Sequence, residues 1–147
     1  MSKKYNWVRW IPAVAWMLLI FSLSNQPGSD SGKLSRLILD WLASIGLDFW
    51  AWFGDDAPIV IRKLAHFVEY GILYLLCLWP LSRRKPWIKG ALLALLLTAL
   101  YACSDELHQT FIPRRVGQVS DVLIDTSGAV FAFLFTWLMH RLFRKNT

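Results

Sequence analysis

Apolar positions along the chain gather into four runs separated by polar breaks, at about residues 7–23, 58–81, 87–103 and 121–143. A bilayer core about 30 Å thick takes roughly 20 residues of helix, so each run reads as a candidate transmembrane helix. The first carries one charge, Arg9, near its edge. Lys3 and Lys4 ahead of it resemble the start of a signal peptide, but Pro27, Gly28 and the Ser-Asp stretch offer no small-x-small cleavage site, and the span is expected to stay uncleaved. The second is interrupted early by Lys63, His66 and Glu69, the third has no charge between Gly90 and Cys103, and the fourth is polar only at its start. Between the first two spans, in residues 31–53, Leu34, Leu37, Ile38, Trp41, Leu42 and Ile45 recur at helical spacing among Lys33, Arg36 and Asp40. That pattern predicts an amphipathic helix capped by Ser31 and stopped at Gly46, lying on the membrane surface or across the bundle. A plain connector is the other reading. The predicted fold is all-α: one polytopic membrane domain over residues 1–147, with four transmembrane helices plus the amphipathic one.

Composition agrees with this reading. The 147 residues are 56% hydrophobic and 18% charged, with a mean hydropathy of +0.40, which excludes an ordinary soluble or disordered chain. The net charge of +6 does not signal a nucleic-acid partner, because the bases are scattered between apolar runs. Sorted by topology, ten bases and no acid flank the N-terminus, the 83–89 connection and the C-terminus, while all ten acids lie on the other side with six bases. The positive-inside rule then puts both termini in the cytoplasm, in a bacterial plasma membrane. Cys77 and Cys103 fall at opposite ends of their spans, too far apart for a disulfide, and make no zinc motif.

With that topology the ionisable residues of spans two to four meet in the outer half of the membrane. On span two, Lys63, His66 and Tyr70 share an arc of about 60°, with Glu69 about 60° further round from His66. Span three ends in Asp105, Glu106, His108 and Gln109. Span four opens with Asp121 and Asp125, on the stripe of Gly128 and Ala132, whose small size lets helices approach. The loop of residues 110–119 adds the adjacent Arg114 and Arg115, and Asn25 and Gln26 sit at the outer end of span one. Charges at depth cost a few kcal/mol each on insertion scales, so these groups are expected to pair or to line a wet cleft. Two readings are open: a buried ion-pair network of Lys63, Arg114 or Arg115 with the acids, or a functional site. In the second, His66, Glu69, Asp105, Glu106, Asp121 and Asp125 are the acid/base candidates, since burial and crowding tune such groups. Lys63, Tyr70, Gln109, Arg114, Arg115 and Gln26 are then the substrate-binding candidates. A divalent metal is conceivable on His66, Glu69, Asp105, Asp121 and Asp125, although no diagnostic spacing is present. His108 reads as an exposed loop-end residue and His140 as an interfacial one. A proton or ion pathway is disfavoured, because little that is polar continues past Tyr70.

Four segments in order carry a resemblance: Ser24-Asn25-Gln26-Pro27, Lys63-Leu64-Ala65-His66-Phe67-Val68-Glu69-Tyr70, Ser104-Asp105-Glu106-Leu107-His108-Gln109-Thr110-Phe111-Ile112-Pro113, and Asp121-Val122-Leu123-Ile124-Asp125-Thr126-Ser127-Gly128. Together they resemble the signatures of the VanZ-like membrane proteins, from the first span to the fourth. The resemblance implies Lys63, His66, Glu69, Asp105, Glu106, Gln109, Arg115, Asp121 and Asp125 as the matching site positions. Arg114 stands where that family usually has a glycine. The family's namesake is associated with resistance to teicoplanin, a lipid-tailed glycopeptide, so a cell-envelope role is implied. The expectation is an outward-facing cleft that binds a membrane lipid or lipid-linked amphiphile and, in an enzymatic version, hydrolyses or transfers its head group. The rival expectation is a non-enzymatic envelope protein whose polar cluster is structural or ion-binding.

Overall fold

The structure, a computed structural model, describes residues 7–83, 86–113 and 115–144. Among these there are helices and turns and no strand. A 3-10 turn, Val8–Trp10, leads into α1 (Ile11–Ser24), followed by α2 (Gly28–Ser44), the short α3 (Phe49–Phe53), α4 (Ala57–Ser82), α5 (Trp87–Gln109) and α6 (Val119–Arg144). Three helical stretches are long and apolar enough to cross a membrane: Phe49–Ser82, Trp87–Gln109 and Val119–Phe143. The first run forms a shorter apolar helix, Val8–Ser24. At about 1.5 Å per residue it falls short of the full hydrocarbon thickness.

Several boundaries differ from those expected. Ser31 does not cap the amphipathic helix. Its chain turns helical at Gly28, directly after Pro27, whose extended ψ of 145° sets the entry, and Ser31 lies one turn inside, its carbonyl accepting from Ser35 Oγ. Gly46 does stop that helix, at φ +93°, where a side chain would be strained. The 31–53 stretch is therefore two helices and not one. Asp48 restarts the chain by accepting a hydrogen bond from the Ala51 amide at 3.1 Å. Span three runs on to Gln109 instead of ending at 103, because Ser104 and Thr110 bond back to carbonyls three residues earlier and the acids between them turn into the bundle.

α4 is the hub, packing against every other helix. Its buried face, with Tyr70, Leu73, Tyr74, Cys77 and Leu81, meets small residues on its neighbours: Ala91, Ala94 and Ala102 of α5, Ala129 and Ala132 of α6. Large side chains on one helix against alanines on the others allow close axes without voids. The tightest approach is between α4 and α6. A Cβ at Gly128 would sit on the Phe67 carbonyl, and one at Gly71 would come 3.3 Å from the Gly128 carbonyl oxygen. Outward faces carry exposed Leu75, Leu92, Leu96, Leu100, Phe131 and Leu134, as a lipid environment requires. Cys77 is buried, Cys103 is exposed, and both are free.

Two glycines separate packing from helix propensity. Gly128→Ala is expected to cost about 1–3 kcal/mol by forcing α4 and α6 apart. Gly32→Ala, where a Cβ meets nothing within 4 Å, should be neutral or stabilising by up to about 1 kcal/mol. Thermal unfolding of the two variants in detergent checks the contrast; equal melting temperatures would refute the tight crossing.

Candidate functional site

The packing stripes of α5 and α6 end in acids. On α5 the buried series Ala91, Ala94, Thr98, Ala102 continues into Asp105, Glu106 and Gln109. On α6, Ala132, Ala129 and Gly128 lead back, one turn earlier, to Asp125, which is fully buried. Because both stripes face α4, the acids arrive against the N-terminal half of that helix, where His66 stands. Its Nδ1 lies 3.1 Å from Asp125 Oδ1, a contact that becomes an ion pair when the imidazole is protonated. An ionised carboxylate can only accept, so Nδ1 donates to it, and in the neutral imidazole the lone pair is then on Nε2.

A second set of contacts fastens the end of α1 to α5. Ser24 Oγ donates to Asp105 Oδ2 at 2.8 Å, and Gln109 Nε2 donates to the same oxygen at 3.2 Å. Arg115, in the 110–118 turn, donates from Nε to the Gln26 carbonyl at 2.9 Å and from Nη2 to the Leu23 carbonyl at 3.2 Å, tying the turn to the last residues of α1 and the segment just after it. The turn folds tightly on α5: the Gln118 amide donates to Glu106 Oε2 at 3.0 Å, and a Cβ at Gly117 would come 2.6 Å from the Glu106 carbonyl oxygen. Trp16 Nε1 donates to the Glu69 carbonyl at 3.0 Å, tying α1 to α4.

Each buried carboxylate is only half satisfied. Asp105 Oδ1, Glu106 Oε1 and Asp125 Oδ2, with the Tyr70 hydroxyl, are buried without a partner in the protein. Such atoms cost about 1–3 kcal/mol each when left unpaired, and a native site that keeps them calls for an explanation beyond packing. Two cavities lie at the same end of the bundle, neither of them lined by these four residues. One, about 190 Å³, lies between α1, α2 and α4 and is walled by Leu23, Leu34, Ile38 and Ile61 together with Gln26 and Glu69. The other, about 200 Å³, is polar, walled by Gln109, Gln118 and Asp121. Arg62, His66 and Arg115 line both. Burial, and then the positive charge of Arg62, lower the Arg115 pKa from its ordinary value, against the opposing pull of Asp105, Glu106 and Glu69. A wider depression, about 830 Å³, lies at the opposite end of the bundle beside Trp87, Trp137, His140 and Arg141, and no carboxylate lines it.

The arrangement gathers most of the residues expected from sequence. His66 and Asp125 pair; Glu69 and Gln26 line the apolar cavity; Gln109 and Asp121 line the polar one; Asp105 and Glu106 bind Ser24, Gln109 and the turn; Tyr70 is buried behind them. Lys63 stands apart from this gathering. It lines neither cavity and makes no hydrogen bond or ion pair with a described residue. At 100° per residue, Lys63 and Tyr70 lie about 60° and 40° to one side of His66, whereas Arg62 and Glu69 lie about 40° and 60° to the other, and the cavities are on the Arg62 side. Arg62, which was not among the sequence candidates, is the α4 base that lines both cavities. Ser24 was the missed hydroxyl. Arg114 lies outside the described residues. The expected network of acids with Lys63 or Arg115 does not form as ion pairs among the described residues, since Arg115 spends two of its nitrogens on carbonyls. Nor do three or more His, Cys, Asp or Glu side chains converge there to hold a metal: Asp105 is turned to Ser24 and Gln109, and Asp125 to His66. His108 is not a loop-end residue but stacks on Phe21, centroids 4.7 Å apart, and His140 stacks on Trp87 at 4.4 Å.

The four signature segments thus meet at one end of one bundle, and a family model described as VanZ/LLP1 matches residues 9–140. The chain belongs to the VanZ/LLP1 family. No curated protein and no solved structure matches it. VanZ/LLP1 membership, with the apolar helices, points to a resistance-related envelope protein of the membrane. The VanZ/LLP1 segments at 24–27 and 104–113 are held together by Ser24, Asp105 and Gln109, and those at 63–70 and 121–128 by His66 and Asp125.

Removing the hydroxyl that joins the first of these pairs is the direct test. Ser24→Ala leaves Asp105 Oδ2 with Gln109 alone and should cost about 1–3 kcal/mol, read as a lower melting temperature in detergent. An unchanged melting temperature would show that α1 is held without it.

Proposed function

We propose that the chain is a four-span protein of the bacterial plasma membrane, with both termini cytoplasmic, whose cleft around His66 faces the outer leaflet and binds a lipid or lipid-linked amphiphile. The observation that carries this reading is the His66–Asp125 pair: a fully buried carboxylate orients an imidazole whose ring lines two cavities, one apolar and one polar. A membrane protein that needed only a register pin would have no use for such an opening. The charge asymmetry of the sequence supports the orientation, since ten bases without an acid flank the end opposite the site.

In the enzymatic version His66 acts as general base. Nε2 takes a proton from a water that attacks the head-group ester, and returns it to the leaving oxygen as that bond breaks. Asp125 holds the tautomer and stabilises the imidazolium in between, as a carboxylate does for a catalytic histidine elsewhere. Altering an outer-leaflet amphiphile is one route by which a cell tolerates a lipid-tailed glycopeptide of the teicoplanin type, the phenotype that the family name suggests. Asp105 and the two bonded nitrogens of Arg115 have a positioning role in this account, because they fasten α1 and so build the wall of the apolar cavity.

Expressed at equal levels in a glycopeptide-susceptible host, the wild-type chain should raise teicoplanin tolerance, and His66→Gln and Asp125→Asn should abolish it while the proteins remain monodisperse and folded in detergent. Full tolerance with His66→Gln would overturn the acid/base role, and parallel loss of folding in both variants would favour a structural network. Topology is tested apart from chemistry: a cysteine placed at Val116, which is exposed, in a background lacking Cys77 and Cys103, should react with a membrane-impermeant thiol reagent added to intact cells. Labelling only after lysis would invert the orientation.

A further inference from the structure

The two cavities differ in character but share one wall, and that wall is the most cationic feature of the site. Arg62 and Arg115 line both, together with His66. Neither guanidinium has a carboxylate within the 4.0 Å of an ion pair among the described residues. Arg115 directs Nε and Nη2 to carbonyls of α1, which fixes the plane of its guanidinium and leaves Nη1 without a described partner. Arg62 makes no hydrogen bond with a described residue. Two half-buried guanidiniums that line the same cavities without a direct carboxylate contact keep donors available, and an oxyanion between them takes bidentate hydrogen bonds that a lysine pair could not supply.

We propose that this shared wall is a seat for the phosphate of an amphiphile, with the apolar cavity taking the first part of its hydrocarbon chain and the polar cavity taking the head group beyond the phosphate. This rests on the reading of the cleft as an amphiphile site and specifies the class of amphiphile. The division of walls supports it. On one side of the seat Leu23, Leu34, Ile38 and Ile61 offer methyl and methylene surface; on the other Gln109 and Gln118 offer amide groups. A molecule that is apolar at one end, polar at the other and anionic at the join matches that order. Glu69 in the first cavity and Asp121 in the second set a limit: with one carboxylate flanking each side, the seat suits a single phosphate and rejects a ligand bearing further anionic groups nearby. His66 Nε2, at the same wall, lies beside the phosphoester bonds.

Full-length protein in an uncharged detergent is titrated by calorimetry with dihexanoyl phosphatidic acid, dihexanoylglycerol and inorganic phosphate. Phosphatidic acid should bind at least about tenfold more tightly than either of the others, and Arg62→Gln should weaken it about ten- to a hundredfold, the worth of one or two charge-assisted hydrogen bonds. Arg62→Lys should recover only part of the loss. Arg62 is the informative position because Arg115 also anchors α1, so Arg115→Gln is read only if its melting temperature is retained. Equal binding of dihexanoylglycerol and phosphatidic acid would overturn the phosphate seat and leave the amphiphile reading standing. Inorganic phosphate binding as tightly as the lipid would overturn the chain-bearing cavity. Failure of all three probes to bind folded protein would overturn both readings.

Discussion

The approach of α4 and α6 at Gly128 governs the rest of the structure. With no side chain at 128, the α6 backbone comes against the Phe67 carbonyl, and Asp125, one turn away on the same stripe, is delivered to His66, the residue before Phe67. A helix pair held a side chain's thickness further apart could not make a 3.1 Å contact between an imidazole and a short aspartate. The polar pair is therefore a product of apolar packing in the middle of the bundle.

Burial then shapes what those groups can do. In hydrocarbon a backbone or side-chain polar atom has no solvent to turn to, so the ends of helices are completed by the protein itself: Arg115 closes α1, and the Gln118 amide meets Glu106. Carboxylates are satisfied on one oxygen and open on the other. An arrangement of this kind is rigid where it is bonded, and each unpaired buried oxygen keeps an unmet demand for a donor.

Much of this is legible in the sequence, because run length and ionisable residues inside apolar runs are strong signals. The apolar stretches, the helix stop at Gly46, the inward stripe of Asp125, Gly128 and Ala132, and the gathering of His66 with the acids all follow from spacing. What spacing cannot settle is sidedness. His66 has bases at three and four residues before it, and only the position of α1 and α2 decides that the cavity opens toward Arg62 and not toward Lys63. Boundaries set by bonds back along the helix, as at Ser104 and Thr110, are also hidden, since a polar residue after an apolar run reads as an end until its partner is known. Ser24 was invisible for a related reason: a hydroxyl at a helix end is ordinary until a carboxylate 81 residues away meets it.

The walls of the cleft differ in how freely they can change. α5 and α6 contribute through stripes that also pack the bundle, so a larger residue there disturbs the helix crossings and the acids together. α2 stands outside that constraint. It supplies Leu34, Ser35 and Ile38 to the apolar cavity, yet it is amphipathic, peripheral to the α4–α5–α6 core, and joined to it through few shared residues. Substitutions along this one peripheral helix can therefore reshape the apolar cavity while the α4–α6 crossing and the His66–Asp125 contact stay as they are.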